Sequence, residues 1–179
     1  HKALDIDNNY STEQLLKVTK SLIEISNSKH LSISKNDSLK VEIPYTKEEM
    51  VTLTKNGYNN LSKKYPNLNP NPSSTKISIY SLPLTYMGFS GYLNPFTNEA
   101  QVDGLVPRYK FPTTIAHEQA HQIGYAAENE TNFIGCLATI HNEDKYFIYS
   151  GYIFALRHCL NEVYRRDKEV YKTLLEAIN

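Results

Sequence analysis

Thr113-Thr114-Ile115-Ala116-His117-Glu118-Gln119-Ala120-His121-Gln122-Ile123-Gly124, followed by Glu128-Asn129-Glu130, is the stretch on which the rest of the chain is organised. It contains one H-E-x-x-H pattern, His117-Glu118-Gln119-Ala120-His121. On an α-helix, residues four apart share a face and stand about 6 Å apart, so two imidazoles can converge on one ion. Glu118 sits one step round that face, placed to take a proton from a metal-bound water. A catalytic zinc usually has three protein ligands and keeps a fourth position open. The nearest acidic candidate is Glu128, seven residues beyond His121. A continuous helix would carry it about 10 Å too far along the axis. Gly124 removes that objection, because glycine accepts the left-handed conformation that ends helices and lets the chain reverse. Glu130 is the second candidate.

His117-Glu118-x-x-His121 with Glu128-x-x-Thr131-Asn132 resembles the glutamate-type zincin peptidases, the gluzincins. In those enzymes the third ligand opens a second helix in an E-x-x-small-Asp/Asn pattern. By that match Glu128 is the third zinc ligand, and Asn132 stands where the family hydrogen-bonds a ligating histidine, usually through an aspartate. The His121-to-Glu128 spacing is much shorter than in thermolysin-like members. A closer resemblance joins Gly91-Tyr92-Leu93-Asn94-Pro95-Phe96-Thr97-Asn98-Glu99-Ala100-Gln101-Val102 to the stretch His117 to Glu130. Together they look like the bacterial domain-of-unknown-function family 3810, over residues 91 to 135 in particular. That resemblance implies a membrane-anchored zinc peptidase whose anchoring helices lie N-terminal to a domain of this kind. On this reading, residues 1–179 form one domain of a longer protein, attached to a membrane through segments outside this chain.

Length and composition agree with a single domain: 179 residues suffice to bury about 70% of the unfolded surface without disulfide or metal staples. Lys plus Arg and Asp plus Glu both number 19, so nothing in the charge balance calls for nucleic acid or an anionic membrane surface as partner. The chain has no apolar run long enough to span a bilayer and no signal-peptide pattern. Cys136 and Cys159 fall in apolar stretches and read as buried free thiols.

Local signals order the elements. Residues 1–10 form a lead-in arm. Ser11-Thr12-Glu13-Gln14 is a capping box, and Leu15, Val18, Leu22 and Ile25 repeat at helical spacing to about Ser28. His30 follows in what reads as a solvated polar loop. Thr46-Lys47-Glu48-Glu49 is a second capping box, opening a helix to about Lys64. The Pro- and Asn-dense run from Tyr65 to Ser74 is a loop. Lys76 to Leu82 alternates apolar and polar residues like a strand, and Glu99 to Leu105 reads as another. Phe111-Pro112 starts the H-E-x-x-H helix, with proline in its first turn. Beyond it, helices are expected from Glu128 or Asn129 to Ile140, from Tyr146 to Tyr164, and after an Asp167 cap. The expected fold is therefore α+β and zincin-like: a small sheet and N-terminal helices, then the active-site helix, then an all-helical C-terminal half.

The function expected is zinc-dependent peptide hydrolysis of a peptide or protein substrate. His117, His121 and Glu128 would hold Zn²⁺, and Glu118 would be the general base. Tyr109, Arg108, Tyr149, Arg157 and His158 have the right chemistry to stabilise an oxyanion. The region 91–105 is a candidate edge for pairing with an extended substrate, or an ordinary hairpin. Glu99, His141 and His158 read as structural. The alternative function is a catalytically inactive zinc- or peptide-binding or sensor domain of a membrane protein.

Overall fold

The two capping boxes set the N-terminal half. In the computed structural model, which describes residues 4, 6–7, 9–69 and 74–179, Ser11 and Gln14 cap each other reciprocally, and so do Thr46 and Glu49. Helices α1 (Thr12–Ser34) and α2 (Lys47–Lys64) start from these boxes. The expected lead-in arm and the loop from Tyr65 to Ser74 fall partly outside the described residues.

Helix α1 runs beyond Ser28 and ends where Lys35 turns left-handed, its amide donating to the Leu31 carbonyl. The stripe it buries is Leu15, Thr19, Ile23, Ser26 and His30, one step round from the one expected, and Val18 faces solvent. Small residues at Thr19 and Ser26 suit a close approach to α6 (Lys145–Arg166), with which α1 builds the cluster of Leu15, Ile23, Leu156, Leu160 and Val163. Thr19 tolerates burial because its hydroxyl donates to the Leu15 carbonyl at 2.8 Å. His30 is accordingly no solvated loop residue. It is buried at the end of the stripe, with Nε2 2.8 Å from the Leu39 carbonyl oxygen.

The sheet is smaller than the alternation suggested. Strand β1 (Thr75–Ile77) stops after one alternation, and Ser81–Met87 is a short helix, α3, rather than the end of a strand. Pro83 lies in its first turn, where a missing N–H costs nothing, and Gly88 closes it with φ 79°. Strands β2 (Gly91–Leu93) and β3 (Ala100–Val102) form a hairpin with Gly91 opposite Val102 and Leu93 opposite Ala100. Strand β1 adds in parallel on the other side of β3, so the order is β1-β3-β2 and β2 is an edge.

Helix α4 (Phe111–Gln122) carries His117 and His121 through the middle of this arrangement. It packs on β2 and β3, on α2, on α6 and most extensively on α5 (Glu128–Ile140). One end of α4 is held by a cluster of Met50, Val102, Phe111, Ile115 and Phe147, and the other by Tyr58, Leu61, Ala116, Ala120 and Ile134. Tyr58 also donates its hydroxyl to the Ala116 carbonyl oxygen at 2.5 Å, satisfying a phenol that is fully buried. The described chain after α4 is helical, through α5, α6 and α7 (Lys168–Leu175), the last capped by Asp167. The class is thus α+β and mostly helical. Among the described residues no helix is long and apolar enough to cross a membrane.

Candidate metal centre

The turn after α4 brings the predicted residues together. Gly124 adopts φ 100°, its amide donates to the His121 carbonyl, and the Tyr125 amide donates to the Ala120 carbonyl. These two bonds are the paired 5→2 and 6→1 contacts of a Schellman motif, which reverses the chain at a helix end. Three residues later Glu128 opens α5. The same turn fixes a ring: Nδ1 of His121 lies 2.8 Å from the Tyr125 carbonyl oxygen. A carbonyl can only accept, so Nδ1 carries the proton, and in the neutral ring Nε2 keeps its lone pair. His117 has the side chain of Asn132, on α5, as a neighbour in the same cleft, where it favours the protonated ring.

Nε2 of His117 stands 3.3 Å from one oxygen of Glu128, and Nε2 of His121 stands 3.5 Å from the other. One ligand atom from each of the three residues lies within 4.8 Å of the others. Zinc bonds of 2.0–2.2 Å in tetrahedral geometry put ligand atoms about 3.4 Å apart, so the two His–Glu separations match the edge of such a site. Burial, and then the neighbouring His121, hold His117 below the usual imidazole range, against the opposing pull of Glu128 and Asn132. A neutral His117 offers a lone pair, not a charge, so its approach to Glu128 is not an ordinary ion pair. The nitrogen with that lone pair and the Glu128 oxygens are donor atoms of the kinds a metal cation takes. The three residues could therefore hold a zinc-sized ion.

Glu118 is next to this group and is only 5% exposed. Burial, reinforced by the charge of Glu128, raises its carboxyl to about 8. Strand β2 passes directly over it: a Cβ at Gly91 would lie 2.6 Å from Glu118 Oε1 and 2.8 Å from its Cγ. The residue at 91 must lack a side chain for Glu118 to keep its place. Both sit in a cleft of about 730 Å³ with the metal-type cluster in its wall and β2 along its rim.

The model of a family described as "Protein of unknown function (DUF3810)" matches residues 1–179. The chain belongs to that family. No curated protein and no solved structure matches it.

Other candidates in this DUF3810 chain lie elsewhere. Glu130, the second candidate for third ligand, is fully buried away from the cluster, and one of its oxygens accepts from the Leu4 amide at 2.6 Å. Glu99 is paired with Lys76 at 2.5 Å, and that contact keeps its carboxyl below the ordinary range. His141 ends α5 with Nδ1 2.8 Å from the Leu137 carbonyl. Arg108 donates to the Ile43 carbonyl oxygen, and Tyr149 lines a separate hollow with His30. Of the five oxyanion candidates, Arg157 lines the cleft, whereas Arg108, Tyr109, Tyr149 and His158 do not. Three features escape sequence reading: the Tyr125 carbonyl that orients His121, the pressure of Gly91 on Glu118, and Lys110 beside Arg157 in the cleft wall. A glycine opening a strand was the available signal for the second, since it marks close backbone approach.

Proposed function

We propose that this chain is a zinc-dependent peptidase of gluzincin type, with His117, His121 and Glu128 as metal ligands and Glu118 as general base. The observation that carries this reading is the convergence of two imidazole Nε2 atoms and one carboxylate, with one ligand atom of each within 4.8 Å of the others, in an open cleft and beside a buried acid. A structural zinc site normally closes with four protein ligands and needs no adjacent base. When bound, the ion would supply a Lewis acid for the scissile carbonyl and a water of lowered pKa.

The chain's own groups account for the proton movements. Glu118 takes one proton from the attacking water as its oxygen bonds to the carbonyl carbon. It returns that proton to the amide nitrogen as the C–N bond breaks, leaving a carboxylic acid and an amine, and the water's second proton then passes from the acid to the amine to give carboxylate and ammonium. A carboxyl whose affinity for protons has been raised by burial suits both halves of that exchange. The Tyr125 carbonyl holds the His121 imidazole in the tautomer and orientation that binding requires, and Asn132 is the polar neighbour of His117. The edge of β2 not paired to β3 is available to an extended substrate backbone along the cleft.

The test is hydrolysis of a mixed library of internally quenched peptides, with and without added zinc, by wild type and Glu118→Gln. Zinc-dependent cleavage by wild type, lost in a variant that still binds zinc, is the expected result. Undiminished cleavage by the variant would remove Glu118 as base. Zinc binding without cleavage by either protein would favour the peptide-binding alternative.

A further inference from the structure

We propose that Lys110 and Arg157 form a carboxylate-recognition subsite of this cleft, so that its peptides carry a carboxylate about two to three residues from the reacting bond. The inference rests on the peptidase reading above and adds a substrate class to it. Lys110 immediately precedes α4 and is half-buried, while Arg157 projects from α6 and is exposed. Both line the main cleft, and both also line a small recess that shares Thr113 and Phe154 with it. Two cations, one just before α4 and one from α6, therefore line the same recess of the cleft.

Neither cation is neutralised within the described residues, where the ion pairs formed by Lys or Arg use Lys76, Arg165, Arg166 and Lys172. Aromatic faces hold them instead. The Arg157 guanidinium lies 5.5 Å from the centre of the Phe154 ring, and the Lys110 ammonium lies 5.7 Å from that of Tyr109. Such contacts fix a cation while leaving its hydrogen-bonding edge open. The acids in the cleft wall, Glu118 and Glu128, line the main cleft with the histidines and are absent from that recess. No Asp or Glu lines the recess, so the positive charge of Lys110 and Arg157 is unmatched there. An anionic group on the substrate meets that demand, and a guanidinium fork fits a carboxylate in two parallel bonds.

The spacing sets where the carboxylate must be. Lys110 precedes His117 by seven residues, or about 10 Å along the axis of α4. An extended peptide advances about 3.3 Å per residue, so that distance spans about three residues, less when the side chains reach inward. The carboxylate can be the C-terminus of the peptide or an Asp or Glu side chain.

The experiment measures binding by fluorescence anisotropy to Glu118→Gln in the presence of zinc, so that bound peptides stay intact. The probes are fluorescein-labelled octapeptides of one sequence: a free C-terminus, an amidated C-terminus, and amidated forms with a single Glu placed at successive positions. The proposal expects carboxylate-bearing peptides to bind at least 10-fold tighter than the amidated, acid-free one. It expects that ratio to fall to about one in Lys110→Met and in Arg157→Met, each added to Glu118→Gln, and to shrink with salt. Arg157 is exposed, so its variant keeps the test open should Lys110→Met fail to fold. A preference erased by amidation assigns the C-terminus; one restored by an internal Glu assigns the side chain. Equal binding of all peptides, no binding of any, or discrimination surviving both Met substitutions would overturn the subsite. Cleavage by wild type regardless of charge would leave the peptidase reading standing without it. Charge-selective binding with no cleavage of any peptide would leave the subsite standing without the peptidase.

Discussion

Replacing Glu118 by glutamine should stabilise the metal-free protein at neutral pH and remove part of its pH dependence. Glu118 has an ordinary value of 4.5, raised by burial and by Glu128 to about 8. Below pH 4.5 it is protonated in both folded and unfolded chains and contributes no difference. Between 4.5 and 8 the unfolded chain ionises while the folded chain keeps its proton, so the folded state loses about 1.4 kcal/mol per pH unit to this group. At pH 7 the accumulated loss is about 3 kcal/mol, less whatever water entering from the cleft screens away. Above pH 8 both states are ionised and the loss stops growing. Glutamine has nearly the same shape and cannot ionise. With chelator present, Glu118→Gln should match wild type at pH 4.5 and exceed it by up to about 3 kcal/mol at pH 7. In urea unfolding that is a midpoint shift of roughly 1–3 M. The assay is a set of urea titrations at pH 5, 6, 7 and 8 on both proteins. Parallel stability profiles would refute the reasoning, because they would mean that Glu118 ionises as readily in the fold as in water.

Three further substitutions test the parts around it. Gly124→Ala forces a side chain onto a backbone at φ 100°, and should cost about 1–2 kcal/mol, or roughly 2–8 °C in thermal melting, together with zinc affinity. An unchanged melting temperature would mean that the turn returning Glu128 tolerates a side chain. Gly91→Ala puts a methyl group against Glu118, and should lower peptide hydrolysis at least 10-fold while zinc is retained. Full activity in that variant would show that the strand above Glu118 yields. Asn132→Ala removes the polar neighbour of His117 and should weaken zinc binding about 10- to 100-fold by competition with a chelating dye, whereas an unaltered affinity would make Asn132 a packing residue.

What the sequence disclosed was local. The capping boxes at Ser11 and Thr46, proline in the first turn of α4, and Gly124 as the reversal before Glu128 are decided within a few residues, and the structure has each of them. The strand expected over Lys76–Leu82 misleads because Ile77 and Ile79 alternate while Pro83 and the turn at Ser78 redirect the chain into α3. The run of α1 to Ser34 and the burial of His30 depend on α6 and on the Leu39 carbonyl, which no local pattern reveals. The contact between Gly91 and Glu118, and the meeting of Lys110 with Arg157, join residues brought together only by packing of the hairpin and α6 on α4. Candidate ligands were therefore legible as a spacing. The surroundings that would give them chemistry were not.

On the proposed function, His117, His121 and Glu128 hold one metal ion. Elemental analysis of protein purified without added metal, on wild type, Glu128→Ala and Glu130→Ala, tests it most directly. One zinc per chain is expected in wild type, largely lost from Glu128→Ala and retained in a folded Glu130→Ala. A wild type that takes up no zinc even when it is supplied at neutral pH, or a Glu128→Ala protein that keeps its zinc while Glu130→Ala loses it, would contradict the account.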